Sequence, residues 1–146
     1  MPSITHDGIT YTFSMLTLKH EDEWRDWVRA ETMAEAVKSS EYMPEALRIK
    51  YLAECKAGVA GVLATFISEA GLKYLGDAKG MAKVLSMACT MDAPKPDEAA
   101  LRALIDARPD ECEDLVLELV PMTAQRRLFL QKKVKEMRAK EQAELT

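Results

Sequence analysis

The sequence predicts a mainly α-helical fold: a short N-terminal β-strand or hairpin, then a multi-helix domain, then a basic C-terminal helix. Three observations carry this. Apolar residues recur at three- and four-residue spacing through most of the chain, residues 8–16 alternate with a period of two instead, and basic residues crowd positions 126–140. The 146 residues, 48% hydrophobic and 30% charged, make one ordinary domain's worth of chain. A domain of that size buries a sufficient core without disulfides or metal. We divide it into a strand-plus-helical domain, residues 1–121, and a basic amphipathic helix, residues 122–146, in the same domain or acting as an interaction arm.

In residues 8–16, Ile9, Tyr11, Phe13 and Met15 fall on one side and Thr10, Thr12 and Ser14 on the other, which reads as a half-buried strand. Asp7-Gly8 marks a turn before it, so a hairpin with residues 2–6 is available. Thr17 suits an N-cap, and Glu21, Asp22 and Glu23 load the first helical turn with negative charge that the helix dipole favours. Trp24, Trp27, Val28 and Ala34 share one side of that helix, which fades at Ser39-Ser40. Pro44 suits the first turn of the next helix. There Leu47, Tyr51, Leu52, Cys55, Val59, Val62, Leu63, Phe66 and Ile67 give the strongest helical pattern in the chain. Gly58 and Gly61 inside it either admit a close neighbour or mark a break. Gly71, Gly76 and Gly80 loosen the following stretch, and Met81, Val84, Leu85 and Ala88 restore the spacing. Ala93-Pro94-Lys95-Pro96 reads as a loop. Leu101, Leu104 and Ile105, then Cys112, Leu115, Leu119 and Val120, form two amphipathic segments separated by Arg108-Pro109, the pattern of an αα-hairpin. Pro121 ends it. Thr123 suits the N-cap of a last helix with Leu130, Val134 and Met137 on one stripe.

Charge is unevenly placed along this framework. Residues 125–140 carry Arg126, Arg127, Lys132, Lys133, Lys135, Arg138 and Lys140 against Glu136 alone, a net +6, whereas residues 92–118 sum to −6 within a chain of −4. Such a layout predicts self-association, or a partner met by one end, or else two solvated faces of opposite sign. The basic helix with its apolar stripe fits a partner groove, through Leu130, Val134 and Met137 with Arg126, Arg127, Lys132 and Lys133 setting register, or it packs on its own domain. Nucleic acid is a weaker expectation, because Phe129 is the only aromatic interleaved with these cations. Trp24 and Trp27 read either as interface anchors or as core.

Chemistry is harder to place. Cys55, Cys89 and Cys112 include no C-x-x-C pair, and His6 and His20 lie at no ligand spacing from them, so neither a disulfide framework nor a zinc site is indicated. No nucleophile–base constellation, phosphate loop or calcium loop can be assembled, and we expect neither an enzyme nor a cofactor. No segment reads as a secretory signal or a bilayer span, which predicts a reducing cytoplasm.

Gly8-Ile-Thr-Tyr-Thr-Phe-Ser-Met-Leu-Thr-Leu18, followed at once by an acidic helix with Trp24 and Trp27, resembles the opening of the tail assembly chaperones of long-tailed bacteriophages. Lys83 through Ala99, with Asp92-Ala-Pro-Lys-Pro-Asp at its centre, is similar to their helix, proline turn and following helix. Leu104-Ile-Asp-Ala-Arg-Pro-Asp-Glu111 continues it into a hairpin. The resemblance covers some 60 residues. It implies a non-enzymatic protein that keeps the aggregation-prone tape measure protein soluble in the host bacterial cytoplasm and is not expected in the mature virion. It also implies a link to tail tube protein through a frameshifted longer form, and no catalytic or cofactor residue. The strongly basic last helix departs from the family pattern. A structural or connector component of the particle is the alternative, followed by a small helical nucleic-acid-binding regulator.

Overall fold

Asp7 and Gly8 take positive φ angles of 49° and 75°, the two-residue turn whose twist suits a hairpin. They join β1 (Ser3–His6) to β2 (Ile9–Thr12) in an antiparallel pair with Ile4 opposite Tyr11. Ile4, Tyr11 and Phe13 are buried, but Ile9 and Met15, expected on the same side, are exposed. Two strands expose too much backbone to stand alone. Here the segment is laced to helix ends far along the chain. Phe13 bridges Cys89, the Ser14 amide donates to the Ala88 carbonyl (2.9 Å), and the Leu16 amide donates to the Leu119 carbonyl (2.9 Å).

The computed structural model describes residues 1–61, 63–91 and 95–145. The helices are α1 (Leu18–Ser39), α2 (Glu45–Gly61), α3 (Glu69–Leu75), α4 (Ala78–Ala88), α5 (Glu98–Ala107), α6 (Pro109–Leu119) and α7 (Ala124–Leu145). The mainly α fold with an N-terminal hairpin is therefore the one the sequence predicts. Val62, Ala93 and Pro94, placed in a helix and a loop by sequence, lie outside the described residues.

One helix is shorter than its periodicity predicts. α2 stops at Gly61, and Phe66 sits in a turn, wholly buried and stacked on Trp24 at 5.5 Å between ring centroids. Phe66 is drawn into the core from outside any helix. The glycines also exchange roles. Space is open around Gly58 and Gly61, whereas a Cβ on Gly71 would run into the Thr65 carbonyl and one on Gly80 into the Tyr74 carbonyl. Gly80 lets α4 close on the end of α3, and Gly71 lets α3 close on the segment at Thr65 and Phe66 that leads into it.

The core combines Tyr11, Phe13 and Trp24 with Phe66 and the inward faces of α4, α5 and α6, including Leu85, Leu104 and Leu119. α5 and α6 form the expected αα-hairpin, with Pro109 in the first turn of α6 and the Asp97 carboxylate accepting from the Ala100 amide at 2.8 Å to start α5.

Candidate functional site

The sequence nominates α7 and the tryptophan pair, and the structure divides them. Trp24 is 0% exposed, stacked on Trp27 (5.2 Å) and Phe66. It is a core residue and cannot anchor a partner, because helical spacing aims it with Val28 at the domain centre. Trp27 is half-buried, edge-on to Tyr74 at 5.3 Å, and lines a groove of about 490 Å³ with Glu31, Lys79 and Lys83. The groove walls are paired charges, Lys79–Glu31 at 3.8 Å and Lys83–Glu23 at 3.3 Å. Nearby, Glu35 accepts from both Lys73 Nζ and the Tyr74 hydroxyl at 3.2 Å, tying α1 to α3. The bond to Glu35 raises the Lys73 pKa, while burial first and Glu35 next raise that of Tyr74.

α7 starts where predicted, with the Thr123 hydroxyl accepting from the Arg126 amide at 3.1 Å. It then runs antiparallel to α6, pinned at two points. Arg127 donates from Nε to the Leu117 carbonyl (3.1 Å) and from its terminal nitrogen to the Val120 carbonyl (3.0 Å), satisfying carbonyls that the end of α6 leaves open. Eleven residues on, Arg138 reaches the other end of α6, meeting Glu113 at 2.8 Å, Asp114 at 3.2 Å and Asp110 at 3.3 Å. Burial opposes the Arg138 charge, but its bonds to Asp114 and Glu113 outweigh this and raise its pKa. Part of the +6 segment thus answers part of the −6 segment inside one chain.

This changes the expected contact set. Arg127 is used by its own domain, and Leu130 and Val134 are half-buried on the side of α7 that faces α6. The periodic stripe found α7's inward face, as helical stripes usually do. Met137, 62% exposed, Lys132 and Lys133 remain outward. Arg126 and Lys133 lie over the Phe129 ring at 5.6 and 5.1 Å, so cations already cover that aromatic.

Leu128 of α7 is also exposed, and a further group of exposed apolar side chains lies away from this helix. α2 packs principally on α1 and has no buried residue. The turn between them is tightly built. Ser40 is wholly buried, its amide donates to the Ala36 carbonyl (3.1 Å), its hydroxyl donates to the Val37 carbonyl (2.9 Å), and Arg48 Nε donates to its Oγ (3.3 Å). On this fixed turn stand Tyr42, 94% exposed, Met43 and, within the first turn of α2, Leu47, with Val37 exposed at the end of α1. Sequence reasoning missed Leu47 as surface because it treated the α2 pattern as one inward stripe, and Tyr42 and Met43 stand in the connection before it. Ala46, Leu47, Ile49, Tyr51 and Leu52 in fact go round the helix, a pattern that asks for cover on more than one side.

Among the described residues no group of His, Cys, Asp and Glu could hold a metal ion, and no helix is long and apolar enough to cross a membrane. Comparison of the chain with protein families, with curated proteins and with solved structures finds no match.

Proposed function

We propose that this protein is a non-enzymatic tail assembly chaperone that holds the tape measure protein of a long-tailed phage in solution, in the host cytoplasm, until the tail tube closes around it. The observation that carries the reading is the apolar turn between α1 and α2. Tyr42, Met43, Leu47 and Val37 stand on a turn locked by the buried Ser40, so the surface is ordered before any client arrives. Apolar contact scales with area and not with one hydrogen-bond pattern, which suits a long client of varied sequence. Met43, and Met137 on α7, add side chains that reshape easily. The outward lysines of α7 give the client's acidic side chains a place to align. The strand-then-helix opening is the one the resemblance implies.

The test is co-expression with a tape measure protein encoded beside this chain, scoring soluble client and co-purification. The intact chain should raise the soluble fraction. A Tyr42→Ser, Leu47→Ser double variant should lose that effect while its melting transition moves by no more than about 0.5 kcal/mol, as exposed sites allow. A client equally insoluble with and without the chain overturns the reading, and recovery of the chain from purified particles would make it a structural component instead.

A further inference from the structure

We propose that two copies of this chain pair antiparallel through the outer face of α2. A helix of 17 residues draws its stability mainly from covering an apolar face. α1 covers only one side, where Tyr51, Leu52, Cys55 and Val59 are half-buried. On the opposite side Ala46, Ile49, Ala53, Ala57 and Ala60 are all exposed, Ile49 at 65%. Their three- and four-residue steps make one straight stripe, small everywhere except at Ile49.

Charge identifies the occupant. Lys50 and Glu54 lie on the same flank of the stripe, one turn apart, and neither has an ion pair among the described residues. Lysine placed before glutamate at this spacing is the poorer orientation for a pair within one helix. In an antiparallel two-fold pair each flank meets itself. With the axis level with Leu52, Lys50 of each copy faces Glu54 of the other, so the complementary contact forms twice. The same register sets Ile49 at a height midway between Ala53 and Ala57 of the second copy, a knob entering a gap between small residues. One placement therefore satisfies both the charges and the packing. An unrelated helix would have no reason to satisfy both, whereas a second copy does so by symmetry and closes the assembly at two.

Tyr42 separates this pairing from the client contact, because it lies outside α2, whereas Leu47 shares the flank of Lys50 and Glu54. Sedimentation of the full chain should show a dimer, and Ala53→Arg should give a folded monomer, checked by circular dichroism. Lys50→Glu and Glu54→Lys should each weaken association about tenfold, by turning two attractions into two repulsions. Combined, they should restore it to within about threefold of the starting chain. A monomeric parent chain, a dimer indifferent to Ala53→Arg, or a double reversal no tighter than the single ones would overturn the proposal. So would a dimer lost on Tyr42→Ser alone, which would place the contact at the turn. A dimer that fails to solubilise the tape measure protein leaves this pairing intact and removes only the chaperone reading.

Discussion

Cys112 has no exposed surface, and its Sγ lies 3.9 Å from the Leu104 carbonyl between α5 and α6. Burial above all, with help from Glu111 and against Arg108, pushes its thiol up to about 11. A thiol that keeps its proton in the folded state and loses it near 9 when unfolded makes stability fall as pH rises. The contribution is complete below about pH 9 and is lost by about pH 11, a difference of roughly 2–3 kcal/mol. Urea titrations at pH 8 and pH 10.5 should show that fall, and Cys112→Ala should flatten it while costing some packing. In the folded chain the half-buried Cys55 should react with a thiol reagent at pH 8 well before Cys112. Equal rates would mean that the α5–α6 seam opens easily. Ser40 shows the same logic with a hydroxyl: buried completely, it is tolerated because its bonds to Val37 and from Arg48 use it on both sides.

At the scale of elements, α7 is an attachment and not a part of the core. None of its residues is buried, yet Leu117 of α6, outside the main core cluster, is only 7% exposed on the side α7 approaches. Removing α7 after Pro121 should therefore leave one cooperative transition, lowered by about 1–2 kcal/mol as Leu117 is uncovered. Arg138→Ala should loosen α7 without unfolding the rest, seen as faster hydrogen exchange across residues 128–145 at an almost unchanged melting temperature. Loss of cooperativity in the truncated chain would place α7 in the core. This attachment was only half legible in the sequence. The spacing of Leu130, Val134 and Met137 marked a helix and a stripe, but which surface meets a stripe depends on side chains far away, here Asp110, Glu113 and Asp114. The α5–α6 hairpin was legible, because Arg108-Pro109 and the two amphipathic runs are local signals that agree; the Asp97 cap of α5 came to light only in the structure. α2 misled in length: Phe66 fits the helical spacing, but the tertiary contact with Trp24 overrides the pattern. The apolar turn at Tyr42 left no periodic trace, since an exposed tyrosine in a connection looks like any other loop residue.

For the whole molecule, what matters is how the start of the chain is joined to its later parts. The amides of Ser14 and Leu16 find their acceptors only at Ala88 and Leu119, and Thr90 returns a bond to the Thr12 carbonyl at 3.0 Å. α1 and α2, by contrast, are neighbours in sequence and can close on each other without help. During synthesis the acceptor for Leu16 emerges on the order of a hundred residues after it, a wait of roughly 5–20 s at ordinary translation rates. Until α4, α5 and α6 have all emerged, Ile4, Tyr11 and Phe13 lack much of the core they pack into, and the first segment made is among the last to settle. Nascent chains stalled near residue 100 should accordingly be cut by protease around residues 8–16, and chains released beyond residue 125 should resist. Under the function proposed above, the chain would pass through a brief period in which its own leading end needs the protection it gives to a client.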